Sequence, residues 1–327
     1  MRRLGRAALL GGLPILSCGK APPARLPVQE VPIGLTPGRE LTDAELLAMA
    51  GATGGASLRE APIGYVPGLV RAPVVRGSVR GKATWMLVDT GATHQFLADW
   101  MIQRIMIDAE GGSVTDHAGR SLSTGRLDHP ELTLDAWGPL PDEPAFVLSN
   151  AGLPPDADVG VTLSPQRLGL TEAVVLDFPR GRMSLVPYGD LSSLATRGVP
   201  LAPSGMRPCG GVFLVASTIG GHAVNLLLDT GASSSDLRAR STAGRALASR
   251  SEDRMGHAFG AGGAIDSRVV HDVRIEAGEY QAKTDVYLVD AVTESTACGA
   301  DGVLGMDVLE HCVLAVSRAT ATGWCQR

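Results

Sequence analysis

The 327-residue sequence predicts an all-β protein built as two similar lobes. Three observations lead there. An apolar strand ending in an Asp-bearing turn occurs twice, in register, in the two halves of the chain. Gly and Pro are abundant, at 41 and 21 residues, which favours short strands joined by turns over long helices. The length suggests two lobes, not one compact core. Apolar residues make up 44% and aromatics only 4%, so the cores must be packed mainly from Val, Leu, Ile and Ala.

The repeat reads Met86-Leu87-Val88-Asp89-Thr90-Gly91-Ala92-Thr93 in its first copy and Leu226-Leu227-Leu228-Asp229-Thr230-Gly231-Ala232-Ser233 in its second. A continuous apolar run of this kind fits a fully buried strand, and Gly lets the turn behind it fold back closely. The two Asp lie 140 positions apart, and upstream Gly81 and Ala83 align with Gly221 and Ala223 without a gap. One Asp-Thr-Gly alone would be an ordinary turn. Two copies in register make the carboxylate the repeated feature.

Residues 1–18 have the order of an export signal: basic Arg2, Arg3 and Arg6, an apolar stretch from Ala7 to Leu16, and small Ser17 before Cys18. The apolar stretch is too short to span a bilayer. Ile15-Leu16-Ser17-Cys18 resembles a bacterial lipobox, whose Cys is lipidated and becomes the mature N-terminus. An ordinary cleaved signal with an incidental Cys is the alternative. Residues 19–68 carry many Pro, Gly and Ala and read as the tether an anchored domain needs, with one helical turn at 42–49 behind a Thr cap.

The first lobe is expected over 69–190. Strands at 74–79 and 83–88 pair around Arg80-Gly81-Lys82, and a helix follows at 98–105, with Leu97, Met101 and Ile105 on one face. The polar stretch 110–126 contains Gly111, Gly112, Gly119 and Gly125 and reads as a mobile hairpin. Strands follow at 131–134 and 145–148, then a hairpin of 173–178 and 182–186. Residues 191–206 read as a linker. The second lobe, 207–327, repeats the plan: strands at 212–219 and 223–228 around Gly220-Gly221, a glycine-rich segment at 256–263, strands at 269–275 and 285–289, and a closing hairpin of 312–316 and 322–325.

Two carboxylates brought together at low dielectric cannot both ionise comfortably, so one keeps a proton while the other acts as a base. Such a pair can deprotonate a water and protonate the carbonyl it attacks. Thr90 and Thr230, beside the carboxylates, can bond across the lobe interface and hold both turns rigid. Competing chemistries are thin. The seven His are scattered, with no zinc-binding spacing, so neither a metal nor another cofactor is expected. Ser233-Ser234-Ser235 lacks the elbow of a nucleophilic Ser. Gly260-Ala261-Gly262-Gly263 lacks the ending of a phosphate loop. A formal charge of −5, more negative once the leader's Arg residues are gone, argues against nucleic acid or anionic lipid as the main partner.

Here the residues resemble a family. Asp89-Thr90-Gly91-Ala92 and Asp229-Thr230-Gly231-Ala232 look like the active-site loops of aspartic proteases, in the retropepsin-type form that ends in Ala. Val303-Leu304-Gly305 resembles the family's second motif, two hydrophobic residues and a Gly packed under the catalytic loop, and Met306-Asp307-Val308-Leu309 is similar to bacterial retropepsin-like members. Asp158-Val159-Gly160 is taken as the first-half equivalent, with Asp where a hydrophobic residue is usual. Pepsin-type flaps carry a Tyr, whereas Tyr65, Tyr188, Tyr280 and Tyr287 all lie outside the two glycine-rich segments.

The resemblance implies an all-β, bilobal acid-protease fold of two retropepsin-like β-barrel lobes with short helices. It implies catalytic Asp89 and Asp229, supported by Thr90, Gly91, Ala92, Thr230, Gly231 and Ala232. Substrate-covering flaps would lie around Gly119 and around Gly260, Gly262 and Gly263. The expected partner is a peptide or protein substrate, met by a monomer that touches a membrane only through lipidated Cys18 and faces the periplasm or exterior. A binding lipoprotein that keeps the fold without turnover is the alternative. With Cys18 lipidated, Cys209, Cys298, Cys312 and Cys325 remain, and four Cys allow three connectivities. At least one bridge is expected, although Cys312 in its apolar strand could equally be a buried free thiol.

Overall fold

A computed structural model describes residues 59–65, 71–106, 110–115, 121–148, 157–169, 171–202, 204–251, 255–260, 263–290 and 299–327. The expected signal, Cys18 and the tether up to residue 58 lie outside the described residues. The rest is all-β, arranged as a ten-stranded sheet in the first half, an eight-stranded sheet in the second, and a six-stranded sheet that takes strands from both.

The two halves are built by the same steps. Pro73–Val79 and Lys82–Val88 pair antiparallel, as do Val212–Ile219 and His222–Leu228. Each hairpin turns through two residues of positive φ, Arg80 and Gly81 in one and Gly220 and Gly221 in the other, the turn whose twist matches that of the flanking strands. Helix Asp99–Ile105 follows in the first half, burying Met101, and Thr242–Ala248 in the second, capped where the Ser241 hydroxyl accepts from Gly244 N. A later strand then runs parallel to the strand that carries the Asp. Val159–Leu163 lies beside Lys82–Val88, and Gly302–Leu304 beside His222–Leu228. The end of the first strand, Met86–Val88, is buried on both faces and reads as an unbroken apolar run, whereas burial alternates along His222–Leu228 and leaves Leu227 half-buried.

The hairpins at the two glycine-rich segments are present as strand pairs. Glu110–Thr115 pairs with Ser121–Leu127, and Met255–Gly260 with the start of Gly263–Ala277, closing at Gly260 opposite Gly263. Gly119 and Gly262 lie outside the described residues.

Two expected boundaries shift. The stretch assigned to the tether enters the fold early: Glu60–Pro62 is an edge strand on Arg182–Pro187, and Gly64–Tyr65 pairs with Pro73–Val79. Ala61 and Ile63 are 3% and 2% exposed, so two small apolar anchors outweigh a composition that reads as linker. The linker is likewise structured, with 3-10 turns over Tyr188–Arg197 and a strand Val199–Pro200 on Ala321–Cys325. The closing hairpins of the two halves are not separate. Glu172–Asp177 pairs with Cys312–Val316, in register from Val174 opposite Val316 to Asp177 opposite Val313. One sheet therefore spans both halves, and a single buried apolar cluster takes residues from both, from Ala61 to Cys325.

Cys312 and Cys325 face each other across the last hairpin and are joined by a disulfide, both fully buried. Cys209 is disulfide-bonded as well. The expectation of at least one bridge holds, and Cys312 is not a free thiol. The Cys312–Cys325 bridge closes a loop of 13 positions, and loops of this size contribute about 3 kcal/mol by restricting the unfolded chain. Replacing both Cys by Ala should therefore lower the urea midpoint by the equivalent of about 2–3 kcal/mol. A midpoint equal to that of the parent would show that the bridge does not stabilise the shared sheet.

Candidate active site

Each Asp sits where a strand ends in the core. Val88 and Leu228, the residues before them, are 0% exposed. The parallel neighbour fixes the exit of each chain: Asp89 N donates to Leu163 O at 2.9 Å, and Asp229 N to Leu304 O at 3.2 Å. The two turns then lock to one another. Thr90 N donates to Thr230 Oγ1 at 3.1 Å, and Thr230 N to Thr90 Oγ1 at 3.0 Å. Each hydroxyl in turn donates onward, Thr90 to Leu228 O at 2.9 Å and Thr230 to Val88 O at 2.7 Å. Both Thr are fully buried. Four reciprocal bonds satisfy every donor involved, which is the condition under which a buried polar network rigidifies instead of destabilising.

Within each turn the carboxylate is held by its own backbone. Gly91 N and Ala92 N donate to Asp89 Oδ1 at 2.7 and 3.1 Å, and Gly231 N and Ala232 N donate to Asp229 Oδ1 at 2.8 and 3.0 Å. The two carboxyl groups are brought together, each lying against the glycine of the other turn. The approach leaves no room for a Cβ on either glycine. One on Gly91 would stand 2.6 Å from Asp229 Cγ, and one on Gly231 2.5 Å from Asp89 Cγ.

Burial pushes the Asp89 carboxyl well above the ordinary carboxylate range. The charge of Asp229 acts in the same direction, and the Gly91 and Ala92 N–H groups oppose both. The pair therefore keeps a proton at pH values where isolated carboxyls have lost theirs.

The structure reassigns the first half's second motif. Val303-Leu304-Gly305 packs under the Asp229 turn as expected, but its counterpart is Thr162-Leu163-Ser164, because Leu163 and Leu304 make the same bond to the two Asp. Gly305 must be Gly, since a Cβ there would lie 2.6 Å from the Ser234 backbone. The first half has space at this point, and Ser164 uses it to donate its hydroxyl to Ala92 O at 2.7 Å. Asp158 instead receives Arg104 at 2.6 Å, an ion pair away from the catalytic turns.

Several supporting residues had no motif to announce them. Gln95 accepts from Ser164 N at 2.7 Å, as Ser235 Oγ accepts from Gly305 N at 3.1 Å in the other half. Ser235 donates its own hydroxyl to Asp307 Oδ1 at 2.8 Å, so it is part of the support. Burial pushes Asp307 up, against the bonds it accepts from Ser235 and Thr284. Beyond Ala92, His94 Nε2 accepts from Arg167 Nη2 at 3.3 Å, and burial together with that guanidinium lowers its pKa. Among the described residues no three His, Cys, Asp or Glu side chains are grouped to hold a metal ion.

Comparison with known proteins finds each half separately. Residues 75–177 match the family described as "Aspartyl protease", and residues 215–311 the family described as "gag-polyprotein putative aspartyl protease". No curated protein matches the chain. Among solved structures, the crystal structure of aspartic proteinase from Irpex lacteus is similar at 14% identity, with a TM-score of 0.47, covering 83% of this chain and 97% of that one.

Proposed function

We propose that this chain, which belongs to the retropepsin- and pepsin-like aspartic protease family, is an endopeptidase that hydrolyses peptide bonds through Asp89 and Asp229. The observation that carries the reading is the close approach of the two carboxyls, each delivered by its own half against the other half's glycine and held by the reciprocal Thr90–Thr230 bonds. With one proton on the pair, the ionised carboxylate takes a proton from a water held between the lobes. The protonated one gives its proton to the scissile carbonyl as the water attacks. An extended peptide is the substrate this geometry suits, with the hairpins ending near Gly260 and Gly263 and around Gly119 as covering flaps.

Both halves lie in one chain, so one copy supplies a complete pair and acts as a monomer. Export and attachment through lipidated Cys18, facing the periplasm or exterior, complete the proposal. Incubating the purified protein with an unbiased peptide library at several pH values tests it. Hydrolysis inside the peptides supports the reading, and binding without cleavage favours a silent peptide-binding lipoprotein.

The working pH follows from Ala92 and Ala232. No side-chain hydroxyl follows either Gly, so only backbone N–H groups oppose the burial and repulsion that raise Asp89. The sign is upward: the pair loses its last proton late, and the basic limb of kcat/KM lies at raised pH. Activity should extend from mildly acidic to near-neutral conditions. A hydrogen bond to a charged group contributes about 1.5–3 kcal/mol. Ala92→Ser or Ala232→Ser should thus bring the basic limb down by about one unit or more. Ser variants that keep the parent's limb, or a parent active only in strong acid, would remove this account.

A further inference from the structure

The two catalytic turns are equivalent in their bonds to each other but not in what supports them from below. In the second half, Ala232 O accepts from the backbone N of Met306 at 2.8 Å. The matching position in the first half, two residues after Leu163, is Pro165, which has no N–H to give. Ala92 O would be left without that donor. Ser164 Oγ and Gln166 Nε2 take over, each at 2.7 Å.

Gln166 does more than replace the missing bond. Its amide also reaches Thr90 O at 3.2 Å and, across to the other half, Gly211 O at 3.0 Å, in the turn before strand Val212–Ile219. The peptide it contacts at Thr90 is the one whose N–H, on Gly91, donates to Asp89 Oδ1 at 2.7 Å. The chain of bonds thus runs from the Gln166 amide through one peptide group to a carboxylate of the pair, and donors and acceptors in series polarise one another. Gln166 is 2% exposed, so its bonds are made without competition from solvent. At the equivalent place in the second half stands Asp307, which is turned away to Ser235 and Thr284 and accepts instead of donating. This arrangement belongs to the first half alone.

We infer that Gln166 is a positioning residue. Its buried amide replaces the backbone donor that Pro165 lacks, and it ties the Asp89 turn to the Gly211 turn of the opposite half. The inference rests on the reading of Asp89 and Asp229 as the reacting pair. It does not depend on the identity of the substrate.

Gln166→Leu and Gln166→Glu separate positioning from packing. Leu keeps the bulk and loses all donors. Glu keeps the shape, but when ionised it presents a carboxylate to three carbonyl oxygens, and only its acid form can donate. The titratable and charged groups on the elements around it are Asp89, Asp229 of the facing turn, His94 and Arg167, which are bonded to each other, and Glu143, paired with Arg167 at 3.3 Å and with Arg318. kcat and KM are measured across pH for the parent and both variants, with thermal unfolding at the same pH values. Gln166→Leu should lower kcat by roughly tenfold or more with little change in KM, the cost of a loosened catalytic group. Gln166→Glu should work best in acid, with a basic limb at lower pH than the parent's. A Leu variant within about twofold of the parent in kcat overturns the inference. So does a Glu variant with the parent's limb.

If the parent itself hydrolyses nothing, the reading of the pair fails, and the inference is judged on unfolding alone. Gln166→Glu puts a carboxyl at a position that is 2% exposed, where burial disfavours the charged form and is expected to raise its folded pKa. Its contribution is intact in acid and is lost as pH rises from the ordinary carboxylate range through the folded value. The melting temperature of Gln166→Glu should therefore fall away from the parent's over that interval, and parallel curves overturn the assignment.

Discussion

Asp89→Asn and Asp229→Asn should each lower kcat/KM by about four orders of magnitude, the scale seen when one member of a catalytic unit is removed. Each substitution takes away half of one proton-sharing pair: an Asn can neither accept the proton of water nor hand one to the carbonyl. The double variant should be no worse than either single one, because the group acts as a unit. The fold should survive, since an Asn Oδ1 still accepts from the two N–H groups that hold Asp Oδ1.

Stability gives an independent check at position 89. Asp89 has its folded pKa raised, so its contribution is present in acid and is lost as pH rises from the unfolded carboxyl's range, around 4, through the folded value. The amide that Asp89→Asn introduces never ionises and escapes that loss. Near neutral pH the Asp89→Asn protein should melt no lower than the parent while having lost its activity. Substantial turnover in either single variant would sink the single-chain pair and point instead to two chains, each lending one turn.

The parts of this site that were legible in the sequence are those with local causes. Buried strands such as Met86-Leu87-Val88 announce themselves by composition, and the turns at Arg80-Gly81 and Gly220-Gly221 by their residue types. The in-register copy 140 positions later carried the functional reading, because a second carboxylate in the same frame has no reason to exist in an ordinary turn. Hairpin boundaries, which depend on neighbours close in sequence, came within a residue or two for most strands.

What stayed hidden depends on partners distant in sequence. The first half's second motif was placed at Asp158-Val159-Gly160 because a Gly was sought. The parallel register with Lys82–Val88 instead puts Leu163 beside Asp89, and at Ser164 a side chain fits where Gly305 admits none. Composition also misled. Residues 60–65 sit in a Pro- and Gly-rich stretch, yet Glu60–Pro62 pairs with distant Arg182–Pro187 and Gly64–Tyr65 with the nearby Pro73–Val79. The shared sheet could not be foreseen, because nothing in Glu172–Asp177 names Cys312–Val316 as its neighbour. Gln166 offered no signal at all beyond the Pro before it.

Adding a single methyl group at Gly91 or Gly231 should do nearly as much damage as removing a carboxylate. The obstacle is not backbone conformation, for neither glycine is among those with positive φ. It is the carboxyl of the other half, 2.6 Å and 2.5 Å from the Cβ that Ala would bring. Contacts that short do not persist, so something must move. The carboxyl cannot turn aside freely, because two N–H groups hold one of its oxygens. The turns cannot part freely either, because the Thr90–Thr230 bonds join them. Relief must come from separating the two acids or breaking that network, and overpacking of a tight site costs about 1–3 kcal/mol. Misplacing a reacting group by about 1 Å costs on the order of a hundredfold in rate. Gly91→Ala and Gly231→Ala should therefore each lower kcat by roughly a hundredfold or more and lower the melting temperature. The basic limb should also move down, because separated carboxyls repel less and titrate closer to ordinary acids. Measuring kcat, melting temperature and the pH profile of both variants decides the matter. An Ala variant with the parent's rate and pH profile would mean that the two carboxyls do not meet as closely in solution as the geometry requires.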